Sequence, residues 1–185
     1  MSEATARVGC ELTAEGMTAW INDYFAACNS GDVDRIAAYF EPDGVHYFPP
    51  GMYAGPFRGA RTIGERWHAA VTNGGSYWTV DQVITDPQTR RAVIEWTHFK
   101  RTAGVMLRGD EWYKFSERGL IQEIRAYYAS PQDQSLTVLE IGGYDYAGLG
   151  YPMSAPPLEA QALEAQSPEA QSPEARAADE PEDAS

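Results

Sequence analysis

The sequence predicts an α+β domain, a cone-shaped curved antiparallel sheet closed by three N-terminal helices. Apolar residues recur at helical spacing up to Gly75, and from Tyr77 onward the period changes to two, over four β-runs joined by hairpin-competent turns. Size is set by the aromatics. All 5 Trp, 11 Tyr and 6 Phe lie within the first 151 of 185 residues, so one aromatic-rich domain carries an aromatic-free tail.

The first helix is read from Met17, Trp20, Ile21, Tyr24 and Cys28, which share one helical face, with Thr13 as its cap. In Asn29-Ser30-Gly31-Asp32, glycine suits the left-handed terminal position and Asp32 the N-cap of a second helix at 33–40. Glu41-Pro42-Asp43-Gly44 then turns the chain into a short strand at 45–48, followed by a Pro/Gly-rich loop at 49–59. A third helix at 62–71 ends at Asn73-Gly74-Gly75. The β-runs are 78–86, 91–101, 105–116 and 120–130. Residues 1–12 read as a flexible N-terminus and 13–152 as the domain. Residues 153–185, a five-residue Glu-Ala-Gln repeat interrupted by Pro168 and Pro173, read as a disordered acidic tail.

Net charge is −13, and the tail carries −7 of it. A mildly acidic domain without a Lys/Arg cluster repels phosphate backbones and anionic lipid, which argues against nucleic-acid and membrane-surface partners. No apolar run reaches the ~18 residues of a membrane span, and the N-terminus lacks a signal-peptide core, so a cytoplasmic protein is expected. Cys10 and Cys28 form no disulfide framework, and His46, His68 and His98 show no ligand spacing. Neither metal nor cofactor is expected.

Strand alternation locates the polar residues in apolar company. Leu107, Gly109, Glu111, Tyr113 and Phe115 share one face, and Ala92, Ile94, Trp96 and His98 another. With those faces concave, Glu111 and His98 enter the cone and Tyr24 reaches down from the first helix. A carboxyl group in an apolar cavity is pushed toward its protonated form and can donate to a developing oxyanion; histidine moves protons near neutral pH. Such a set suits enolisation, dehydration or ring closure of a carbonyl compound. Trp96, Tyr113 and Tyr128 are the expected walls, with Tyr47 facing inward beside Phe48, and Trp20 as a further contact. His46 is an even choice between surface and site. Asp110 and His46 are the groups that turn inward if the register is off by one. Each also has a structural reading: Glu111 in a core network, Tyr24 as core packing, His98 as solvent-facing. On the outer face Glu123/Arg125 and Glu95/Lys100 read as ion pairs, and Phe99, Trp112 and Tyr127 as an apolar patch that a homodimer would cover.

The segments 20–40, Gly55-Pro-Phe-Arg-Gly59, Asp110-Glu-Trp-Tyr-Lys-Phe115 and Gly119-Leu-Ile-Gln-Glu-Ile-Arg125-Ala-Tyr-Tyr resemble the nuclear transport factor 2-like superfamily, nearest its SnoaL-like polyketide cyclase and ketosteroid isomerase branch. The resemblance implies the cone fold. Tyr24 matches the oxyanion-donating tyrosine of the isomerases, and Glu111 falls where they keep a protonated Asp. Their general-base Asp corresponds to Phe48, and the last-strand Asp of the cyclases to Ala126, so neither proton shuttle is reproduced. The fold also hosts dehydratases, epoxide hydrolases and proteins without catalysis. The expected function is a cofactor-independent lyase, isomerase or cyclase acting on a hydrophobic carbonyl compound, polyketide-, steroid- or aromatic-like. The competing readings are a non-catalytic module that holds a hydrophobic ligand and a structural dimer subunit.

Overall fold

The first helix among the described residues is the one that its stripe predicts. In the computed structural model, which describes residues 8–129, 141–150 and 153, α1 spans Ala14–Ser30. Thr13 Oγ1 accepts the Gly16 N–H at 3.1 Å, and Gly31 ends the helix at φ 68°, a left-handed angle that glycine adopts without Cβ strain. Met17, Ile21, Tyr24 and Cys28 are buried on it. Asp32 caps α2 by accepting the Arg35 N–H at 3.0 Å. This helix covers only Val33–Ala37, because Phe40 pairs with Ile121 in the sheet and Tyr39 O accepts the Ile121 N–H at 2.9 Å. Strand pairing therefore takes the residues that a helix to position 40 would use.

Strand β1 runs Phe40–Tyr47, so the turn expected at 41–44 is instead a register shift inside a longer strand. Glu41 on that irregularity pairs with Arg118, whose Nε donates to Oε1 at 3.1 Å and which holds the carboxyl below its usual range. A two-residue β2, Phe57–Arg58, pairs with β1 and is too short to leave a periodic signal. Helix α3 spans Ala60–Gly74, two residues earlier and three later than expected. Then come β3 (Ser76–Asp86), β4 (Arg91–Lys100), β5 (Val105–Phe115) and β6 (Ile121–Tyr128), each within two residues of its predicted bounds.

The strands order as β2-β1-β6-β5-β4-β3 in a curved, unclosed sheet. Neighbours are antiparallel except β1 and β6, which run parallel. Helix α1 packs on β3 and α3 on β1. Between helices and sheet lies the core, with Met17, Ile21, Ile63, Ile94, Phe115 and Ile124 all but inaccessible to solvent. Trp96 faces Gly109 across β4 and β5, and a Cβ at Gly109 would stand 2.6 Å from the indole, so the ring is seated on a position that only glycine leaves open. No helix among the described residues is long and apolar enough to cross a membrane.

On the outer face the structure corrects two expectations. Arg125 is buried rather than solvated: its Nη1 donates to the Tyr144 hydroxyl at 2.9 Å, and its guanidinium lies 5.0 Å from the Tyr144 ring and 5.8 Å from Trp112. Glu123 stands 3.5 Å from it, as expected, whereas Glu95 accepts from Gln82 and not from Lys100. Residues 141–144 belong to a unit spanning Met1–Tyr144; a second unit begins at Asp145, whose carboxylate accepts the Gly148 N–H at 2.9 Å. Residues 1–7 of the N-terminal segment and 154–185 of the tail lie outside the described residues.

Candidate active site

Seven aromatic side chains (Tyr24, Phe25, Tyr53, Trp67, Trp78, Trp96 and Tyr128) enclose a small chamber inside the cone. Glu111 of β5 is the one carboxyl group lining it among the described residues. Its free volume is about 20 Å³, which holds roughly one water molecule. Aromatic residues at alternate positions on β3, β4 and β6, together with the inward stripe of α3, build these walls.

Glu111 is buried, as alternation predicts, but it meets a partner that its strand does not reveal. Tyr113, two residues along the same face, donates its hydroxyl to Oε2 at 2.5 Å. Oε1 stands 3.4 Å from Nε2 of His46. Burial, and then the neighbouring Glu111, pushes the Tyr113 hydroxyl well above its ordinary range, so the shared proton sits on tyrosine and the carboxyl accepts. His46 is 1% exposed and stacks on Phe48 at 4.2 Å, and neither ring nitrogen makes a hydrogen bond among the described residues.

That placement corrects the expectation that Tyr47 faces inward: β1 turns His46 to the cone and sends Tyr47 to the opposite face, edge-on to Tyr144 at 5.2 Å. Asp110 is exposed on the outer face, because the register of β5 has not slipped. Trp20 is a correction too. It packs edge-on against Tyr39 at 4.9 Å and does not line the chamber.

His98 is buried on the predicted face, with its ring stacked on Trp78 at 4.4 Å and Nε2 2.9 Å from Ser76 Oγ. Burial, and then the charge of Lys100, lowers it to about 4. It does not join Glu111. Ile94 is the cross-strand partner of Glu111, and four residues of β4, ~13 Å of strand, separate Ile94 from His98. Glu111 and His98 therefore mark different ends of the site, with Trp96 between them.

Tyr24 reaches the chamber with its hydroxyl already engaged, accepting from Trp67 Nε1 at 3.0 Å. The donors left unspent are on residues expected only as walls. Trp96 Nε1 is buried with no partner among the described residues, and no described group hydrogen-bonds the Tyr128 hydroxyl beside it, ring to ring at 5.0 Å. Sequence reasoning missed Trp67 and Trp78. Trp67 continues the buried stripe Ile63-Gly64-Trp67 of α3, and Trp78 alternates with Ser76, so both signals were present. Tyr53, in the loop at 49–59, has no periodic signal.

An α+β cone holding a buried carboxyl group in an aromatic chamber defines a class of small-molecule pocket proteins. The family model for the SnoaL-like domain matches residues 21–124, and the chain belongs to that family. It is 48% identical to a protein of unknown function with a cystatin-like fold from Methylobium petroleophilum PM1, over 78% of this chain and 96% of that one, with a TM-score of 0.75. SalBIII, an epoxide hydrolase/cyclase-like enzyme in pyran ring formation in the polyether salinomycin, shares the fold at 13% identity and a TM-score of 0.52, over 62% of this chain and 92% of that one. A candidate polyketide cyclase from Sinorhizobium meliloti does so at 19% and 0.50, over 59% and 94%. No curated protein matches the chain.

Proposed function

We propose that the chain is a cofactor-independent lyase, isomerase or cyclase that moves a proton on a hydrophobic carbonyl compound, with Glu111 as the proton carrier. The observation that carries this is the Glu111 carboxyl, buried at the chamber wall and held by Tyr113 at one oxygen beside His46 at the other. Enolisation takes a proton from the carbon next to a carbonyl and leaves charge on the oxygen. Glu111 receives the proton, and Trp96 Nε1 and Tyr128, which line the same chamber, donate to the oxygen. His46 and Tyr113 act as positioning residues, and Tyr24 fixes the wall through Trp67. Substrate needs more room than about 20 Å³, so entry displaces a side chain. Tyr53, 41% exposed on its loop, is the one we assign.

The test is α-proton exchange in D2O over a panel of aromatic and polycyclic ketones, read by NMR. Wild-type protein is expected to label at least one ketone, and Glu111→Gln to slow that labelling ~10²–10³-fold. Absence of labelling across the panel overturns the reading and favours a binding module. Assembly belongs to the same reading: two copies pair through the outer sheet face, where Phe99, Met106 and Trp112 stand exposed.

A further inference from the structure

Outside the chamber, an open groove of about 540 Å³ runs between the C-terminal half of α3 and the ends of β3 and β4. It shares Tyr53, Trp67 and His98 with the chamber, so it is the approach to it. Its size suits a small organic molecule. Its charge is unlike the rest of the domain: Arg66 and Lys100 line it and no carboxylate does. Arg61, Arg90, Arg108, Arg118 and Arg125 each stand within 3.7 Å of a carboxylate oxygen. Arg66 and Lys100 have no such partner among the described residues; Arg35, Arg58, Arg91, Arg101 and Lys114 also lack one, but none of these lines the groove. The Arg66 guanidinium is held 5.3 Å above the Phe57 ring, which fixes a cation over the apolar wall. Both charges are felt inside, since Lys100 lowers His98 and Arg66 opposes the upward shift of Tyr53. Asn73 and Thr102 add neutral polar groups at the rim.

We propose that the molecule turned over here carries a carboxylate, or an anion of like size, which Arg66 and Lys100 hold at the groove while its apolar body lies along Phe57, Trp67 and Tyr53 toward the chamber. This rests on the chamber as reaction site and adds the substrate class. In an acidic domain, a groove with two unpaired cations and no acid attracts anions and rejects the uncharged analogue, because the cations lose solvation and gain no partner.

The experiment titrates the full chain with 2-naphthoate and with its neutral isostere 2-naphthamide, following tryptophan fluorescence and the heat of binding. Naphthoate is expected to bind roughly tenfold more tightly at low salt, with the gap closing as salt is raised. The Arg66→Gln/Lys100→Gln variant should weaken naphthoate roughly tenfold and leave the amide within about twofold. Equal binding of the two probes, naphthoate binding that ignores the double variant, or no binding of either at millimolar concentration overturns the proposal. Charge-dependent binding without proton exchange on any ketone leaves the anion groove standing and removes the acid–base reading instead.

Discussion

Tyr113 donates its phenolic proton to Glu111 Oε2 at 2.5 Å, and the two side chains leave the same strand face two residues apart. The pair is thus preorganised by the pleat of β5 alone, and it needs no loop to hold it.

Tyr113→Phe tests that relationship. The ring still fills its fully buried site, while the carboxyl loses a charge-assisted donor at a cost of about 1.5–3 kcal/mol in unfolding free energy. A slower α-proton exchange with the chamber walls intact is the expected partner of that loss. If both stability and exchange match the wild type, the hydrogen bond supports neither.

His98 sets a pH dependence. Its pKa is about 4 in the folded chain against 6.5 for an unhindered histidine, so the unfolded chain binds the extra proton first as pH falls. The contribution of neutral His98 is complete above about pH 6.5 and is lost progressively toward pH 4, by roughly 2 kcal/mol after allowance for solvent access. Denaturant midpoints measured from pH 7 to 4 should fall, and His98→Gln should flatten that slope. An unchanged slope in the variant would assign the acid sensitivity elsewhere.

What the sequence disclosed follows physical lines. Period-two alternation placed Glu111, His98, Trp96 and Tyr128 on the concave face because a one-residue slip would turn a whole strand outward. The same logic failed on β1, whose expected length of four residues was too short to choose between His46 and Tyr47. The choice was made by pairing with β6, a strand about 80 residues away whose parallel approach no hairpin rule anticipates. Proximity along a face also says little about distance along it. Glu111 and His98 share the chamber, yet the β4/β5 register sets them ~13 Å apart. The burial of Arg125 depended on Tyr144, from a segment with no periodic signal.

Gly109→Ala probes the seat of Trp96. The added Cβ would meet the Tyr127 carbonyl oxygen and the indole, and neither can move without shifting β6 or the chamber wall. Overpacking of this kind costs about 1–3 kcal/mol. A lowered melting temperature with altered tryptophan fluorescence is expected; a wild-type melt would mean that the strands part easily at this point.

Trp112→Asp addresses assembly. Trp112 is 42% exposed on the outer sheet face, and its replacement by Asp removes the apolar ring that a partner copy would bury and puts a charge that must be desolvated in its place. Sedimentation at tens of micromolar should give twice the 20.4 kDa chain mass for wild type and the single mass for the variant. A monomeric wild type removes the dimer.

The catalytic roles separate most clearly through paired substitutions. Glu111→Ala removes the proposed proton carrier and leaves Tyr113 and His46 facing a gap, whereas Glu111→Gln keeps the shape and the hydrogen bond to Tyr113 but cannot take a proton. If Glu111 acts as the base, the two variants lose exchange activity alike, ~10²–10³-fold, and differ only in stability. If it acts as a protonated donor to the oxyanion, Glu111→Gln retains part of the rate, because an amide still donates. His98→Ala discriminates further. Its distance from Glu111 predicts a change in KM with kcat within about threefold, the mark of a group that touches bound substrate away from the reacting carbon. Tyr128→Phe and Tyr24→Phe complete the set: the first removes an unspent donor and should slow exchange about tenfold, while the second removes a hydroxyl that holds Trp67 and should act mainly on stability. Full exchange activity in Glu111→Ala/His98→Ala would move the chemistry out of this chamber altogether.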